Sequence, residues 1–224
     1  MDNYYNITTH VSNSDLGRLQ DLINGVDPFN NPNMEQIFAF GSLVDGMLLE
    51  PENIVYSERR LINPSGGDIV FDEVTWNKAL RMRNAGRNDR LLAMYIESMS
   101  KQQMLLVDEF EISYEGYRFL FPARCKYDLC NQAMKMGADL KTTSSSNVKQ
   151  FIQVIDTLNY DRQAAWYMDL GGLDNFLFIC IAKEPDKKGN HNVFHVAMER
   201  DSELYVSGRR KYEKLAYLYN LLIL

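Results

Sequence analysis

The sequence predicts a mixed α/β (α+β) protein with a central sheet flanked by helices. Segments of helical period fill residues 1–100, β-rich runs begin at 101, and helices and strands then alternate to the end. The 224 residues suit a single domain spanning 1–224, long enough for a full core, with 1–100 as a mainly helical opening region and 101–224 carrying the sheet.

The elements follow in order. SNSDLGRLQDLINGV (12–26) reads as a helix opened by a Ser/Asn cap, with Leu16, Leu19, Leu22 and Ile23 on one face. MEQIFAFGSLVDGMLLEPE (34–52) is a long apolar helix stopped by Pro51. Two more helices are predicted over 72–84 and 88–100. Residues 102–129 hold two β-rich runs around Tyr114-Glu115-Gly116, a hairpin turn, and KMGADLKT (135–142) is a third strand. Helical period returns at 147–159 and at 160–172, the latter ending on a double glycine. Strands at 176–184 and 192–200 follow, and 202–224 closes the chain as an amphipathic helix.

Composition narrows the function. With 46% hydrophobic and 24% charged residues the chain is that of a soluble globular protein. It has no apolar run near the ~20 residues of a membrane span and no secretion signal, which predicts a cytoplasmic protein without a membrane partner. Cys125, Cys130 and Cys180 are too few for a four-cysteine cluster and form no CxxC pair, so buried thiols in a reducing compartment are expected. A net charge of −6 weighs against an electrostatic coat on nucleic acid. Lys78, Arg81, Arg83, Arg87 and Arg90 nevertheless gather in thirteen residues. Alone, they are a solvated helix face; with a polyanionic substrate they become a contact surface.

The chemistry is suggested by the acidic strands. In a strand, residues i and i+2 share a face, so Asp139 and Lys141 project together. If the preceding strand is a neighbour, Asp128 reaches the same spot. Two carboxylates facing one point suit a hard cation such as Mg²⁺, which polarises a phosphodiester, while the ammonium orients water or offsets developing charge. D-x-K alone is a weak pattern, and a solvated edge strand is its ordinary reading. Asp139 follows the small pair Gly137-Ala138, however, and Lys141 leads into a Thr/Ser-rich helix start. Its hydroxyls and free N–H groups suit a phosphate. Gln163 and Tyr167, at i and i+4, share one side of the 160–172 helix with Tyr160, which reads equally well as a core helix. His191 and His195 invite a metal reading, but a partly exposed strand fits better; His10 reads as structural.

Taken as an ordered set, Lys126/Asp128, Asp139/Lys141/Thr142/Thr143 and Gln163/Tyr167 resemble the RecE-type exodeoxyribonucleases (exonuclease VIII) of the PD-(D/E)XK superfamily. HVSNSDLGRL and FGSLVDGMLLEPE are similar to that family's opening segment and first core helix. The resemblance implies a restriction-endonuclease-like core with a central mixed sheet. It implies a Mg²⁺-dependent exonuclease (Mn²⁺ substituting) that degrades double-stranded DNA 5′ to 3′ from its ends, usually in a phage or prophage setting. The 3′ overhang would pass to a single-strand annealing protein, and the enzyme would be a homo-oligomeric ring. On the same basis Asp128, Asp139, Lys141, Gln163 and Tyr167 would be catalytic. Asp45, Asp128, Asp139 and the Leu140 backbone carbonyl would hold the metal, and Arg81, Arg83, Arg87, Thr142 and Ser144 would meet DNA. Arg209, Arg210, Lys211 and Lys214 are further candidates for the channel. Two departures stand out: Tyr127 replaces the usual proline, and Asp45 stands where the family's G-x-x-x-H helix has a histidine. An endonuclease or flap nuclease of the same fold, and a catalytically silent DNA-binding or inhibitory protein, are the rival readings.

Overall fold

The structure is a computed structural model that describes residues 4–27, 32–63 and 66–223, for 32–34 the backbone alone. Its helices are α1 (Asn13–Ile23), α2 (Pro32–Leu49), α3 (Glu73–Asn88), α4 (Arg90–Ser98), α5 (Val148–Ile155), α6 (Tyr160–Gly171) and α7 (Glu203–Leu222). Its strands are β1 (Ile54–Val55), β2 (Arg60–Leu61), β3 (Ile69–Val70), β4 (Ser100–Tyr114), β5 (Tyr117–Asn131), β6 (Met136–Thr143), β7 (Asn175–Pro185) and β8 (His191–Glu199). Every helix and long strand expected from periodicity is present. The strands β1–β3, paired in a small antiparallel sheet, are two residues each and too short to show a period.

The main sheet runs β4-β5-β6-β7-β8 and is mixed: β6 and β7 are parallel, the other neighbours antiparallel. A parallel pair needs a crossover, which α5 and α6 supply. The β4–β5 hairpin turns on Glu115 and Gly116, both left-handed (φ 49° and 87°), the twist that a two-residue hairpin turn favours.

Alternating strand residues feed two cores, one on each face. One gathers Phe121, Tyr127, Trp166, Phe176, Phe178 and Tyr212 under α5, α6 and α7. The other gathers Met47, Trp76, Met82, Leu92, Leu140 and Ile179 under α2, α3 and α4. In α1 only Leu16 and Leu19 are buried, while Leu22 and Ile23 are more than half exposed. The shared apolar face predicted for them therefore holds for the first half of the helix alone. His191 also departs from its expected exposure: it is buried, its Nδ1 2.8 Å from the Ala182 carbonyl. His195 Nε2 lies 3.0 Å from Asp89 Oδ1, and His10 Nε2 3.0 Å from Asp108 Oδ1. Among the described residues, no helix is long and apolar enough to cross a membrane.

Candidate active site

The long strands β5 and β6 pair over three positions only, Leu129 with Ala138, Cys130 with Gly137 and Asn131 with Met136, and then part. Asp128 stands at the parting. Its Oδ2 accepts the Leu140 N–H at 2.8 Å, replacing the ladder bond that a continuing strand would have made. A strand residue sends its N–H and C=O to the same side, so the Leu140 carbonyl also faces the opening. The segment before α1 covers the edge of β5 further along, where Val11 bridges Ala123.

Asp139 and Lys141 project from β6 toward α6, as the two-residue spacing predicts. Gln163 of α6 ties them together: its Nε2 donates to Asp139 Oδ1 at 2.7 Å, and its Oε1 accepts from Lys141 Nζ at 3.0 Å. Lys141 Nζ is also 2.6 Å from Asp139 Oδ2, an ion pair whose angle is not that of a hydrogen bond. The ring of Tyr160 lies 4.8 Å from the same ammonium. Burial alone would lower the proton affinity of Lys141; the adjacent Asp139 charge, with Tyr160 and Asp128, reverses this and holds it cationic. Burial pushes Asp128 the other way, to about 7, with the Asp139 charge adding to the rise.

Asp45 reaches this region from the opposite layer, on α2. Burial, then the charges of Asp128 and Asp139, hold its carboxyl well above the usual range. Among the described residues its Oδ1 has no hydrogen-bond partner. A Cβ at Gly41 would lie 3.7 Å from Thr142 Oγ1, an ordinary contact, so α2 passes the end of β6 without needing glycine there.

The other expected residues are distributed differently. Tyr167 lies in the core, edge-on to Tyr127 and Phe176, and its carbonyl accepts the Tyr127 hydroxyl at 2.7 Å. The Thr/Ser segment is less open than its composition predicts, because the Ser145 N–H goes to Thr143 Oγ1, the Ser146 N–H to Gln150, and Asn147 caps α5. Thr142 is half-buried and Ser144 exposed. On α3, Arg81 and Arg87 are exposed, whereas Arg83 bonds Asn84 and lies against Tyr56. Arg209 and Lys211, expected along a channel, are committed within the fold to Glu213 and to the fully buried Asp161.

Sequence reasoning missed Gln102, which the hairpin register sets opposite Asp128; its Nε2 is 3.5 Å from Asp128 Oδ1. Its left-handed backbone (φ 52°) is uncommon for a residue with a side chain, and no local pattern announces it.

Could these residues hold a metal? Among the described residues, no three His, Cys, Asp or Glu side chains are drawn together into a cage. Asp128 is turned to Leu140, and Asp139 to Gln163 and Lys141. Mg²⁺ is nevertheless often bound by one or two carboxylates with waters completing its shell. Two carboxylates and a carbonyl at one opening, an orphaned buried oxygen on Asp45, and a donor set of oxygen alone all fit such an ion.

No protein-family model matches the sequence, and no curated protein matches it. Among solved structures, a phage-related exonuclease from Haemophilus somnus 129PT is similar over 94% of this chain and 83% of that one, at 14% identity and a TM-score of 0.43. An alkaline exonuclease from Laribacter hongkongensis is similar over 96% and 91%, at 14% identity and a TM-score of 0.32. A third, the protein SSO0001, is similar over 63% of this chain at 13% identity and a TM-score of 0.37, and the match spans 60% of its own length.

Proposed function

We propose that the protein is a metal-dependent nuclease, an exodeoxyribonuclease that hydrolyses linear double-stranded DNA from its ends. The observation that carries this reading is the meeting of Asp128, Asp139, Leu140, Lys141 and Gln163 where β5 and β6 part. Those residues occur in the order that resembles RecE-type exonucleases. Digestion runs 5′ to 3′ and leaves 3′ overhangs for a strand-annealing partner.

Asp128, Asp139 and the Leu140 carbonyl would hold Mg²⁺, with Asp45 as a further carboxylate. When bound, the ion would supply Lewis-acid polarisation of the phosphodiester and acidify a water. Lys141, held cationic, orients the attacking water and offsets charge building on the phosphate. Gln163 keeps Lys141 and Asp139 in register, and Tyr160 limits the freedom of the ammonium. The parting of β5 from β6 gives the phosphate its approach, because β7 pairs with Leu140 on one side while β5 has left it on the other.

One observation favours a silent, DNA-binding relative instead: the three carboxylates are not drawn into a cage. Two measurements decide. Linear duplex DNA labelled separately at its 5′ and 3′ ends, run beside closed circular DNA, should lose 5′ label first while the circle survives. Circle cleavage would make the enzyme an endonuclease. Calorimetry with Mg²⁺ should show heat that Asp45→Ala reduces; no heat and no cleavage would leave the silent reading standing.

A further inference from the structure

The segment before α1 is fixed by specific contacts. Arg124, buried in β5, donates to the Tyr4 carbonyl and lies 4.8 Å from the Tyr4 ring, while its other nitrogen pairs with Asp15 at 3.2 Å. Further on, the Val11 N–H donates to Pro122, and the Arg124 N–H donates to Val11. The chain is thus strapped along the part of β5 that β6 has left. This strap carries Tyr5 beside the site. Tyr5 lies edge-on to Tyr4, and its ring is 5.6 Å from Lys126 Nζ, two residues before Asp128. Burial raises its phenol, and the carboxylates of Asp128, Glu50 and Asp45, in that order, raise it further. Half of its surface is nevertheless open to solvent.

A half-exposed aromatic ring, anchored on one side and flanked by a lysine, suits a nucleobase: every base has a π-face, and the cation meets the adjoining phosphate. We propose that Tyr5 binds substrate by stacking on a base of the strand being cut, next to the phosphate that meets Lys141. The proposal rests on the nuclease reading above. Tyr5 recognises the substrate without sequence preference. It also works through the strap, since Arg124, Asp15 and Val11 fix where the ring stands.

The test uses duplex DNA carrying 2-aminopurine at and near the 5′ end, with the full chain in a metal that permits binding. Wild type should quench the probe at one end position. Tyr5→Phe should retain the quench, whereas Tyr5→Ala should abolish it and raise KM about tenfold, the scale of a single base stack, with a smaller effect on kcat. Melting curves for both variants show whether the strap survives, and Tyr5→Leu, which keeps apolar bulk without a π-face, should behave like Tyr5→Ala. Unchanged KM and quench in Tyr5→Ala would overturn the proposal. So would a Tyr5→Phe variant as impaired as Tyr5→Ala, which would shift the role to the hydroxyl. Cleavage by wild type with either result refutes stacking alone; no cleavage by wild type refutes the nuclease reading and stacking with it.

Discussion

Lys141 is held by three partners: a carboxylate 2.6 Å away, the Gln163 amide oxygen at 3.0 Å, and the face of Tyr160. A cation so fixed cannot swing to solvent, which is what a group that must meet developing charge requires. Lys141→Ala and Asp139→Asn should each lower kcat by at least about 100-fold, measured below their melting temperatures. Gln163 touches both residues rather than the substrate, and Gln163→Ala should cost about 10–100-fold in kcat, as supporting partners of metal ligands do. Asp128 adds a pH dependence. Its folded-state value of about 7 lies above the ordinary 3.8, so between them the folded chain keeps a proton that the unfolded chain has lost. Metal-free stability should therefore be fullest below that window and fall as pH rises through it. Mg²⁺ competes with the same proton, so its gain in Tm should be larger at alkaline than at mildly acidic pH. A gain that does not change with pH would remove Asp128 from the ligand set.

Among the elements, α6 matters most for the site, since it brings Gln163 and Tyr160 to Lys141. Its position is set by α7: a Cβ at Gly208 would lie 2.1 Å from the Asp161 carbonyl oxygen, so the two helices touch backbone to backbone. Rigid backbone has no way to yield. Gly208→Ala should therefore cost about 2 kcal/mol and about 6 °C in Tm for a chain of this size, read from thermal unfolding. The loss of kcat should exceed what the unfolded fraction explains, because α6 must shift. The ion pair of half-buried Lys211 with fully buried Asp161 lies in the same contact, which explains why that lysine is not spare for DNA.

At the scale of the molecule, an acidic chain must present its positive charge locally if it is to hold a polyanion. The exposed Arg81 and Arg87 of α3 are the clearest instance, as Arg83 is engaged with Tyr56 and Asn84. Charge reversal at Arg81 and Arg87 together should weaken DNA binding and reduce the slope of log affinity against log salt by about 2, near one for each phosphate that is no longer neutralised. An unchanged slope would return this face to ordinary solvated surface. The two layers contribute differently to the site: α6 supplies it from one face of the sheet and α2, with Asp45, from the other.

Local pattern was enough to place each long element, because helix and strand periods act over a few residues and the two cores bury the faces they predict. Spacing also foretold that Asp139 and Lys141 would share a face, while the joining of Gln163 to them was implied by the family resemblance alone. Leu22 and Ile23 show the limit, since a periodic apolar face says nothing of where its partner ends. What tertiary structure alone decided was the opening between β5 and β6, which makes Asp128 a partner of Leu140 instead of one more residue in a ladder. It decided equally that Gln102 lies opposite Asp128, that Arg124 straps Tyr4 and Tyr5 beside the site, and that Asp45 enters from the far layer. The Gln102 contact and the strap join residues distant in sequence, and a contact made across such a separation leaves no period or motif in the local chain for a sequence reading to find, whereas Asp45, Asp128 and Leu140 were expected at one site through the family resemblance.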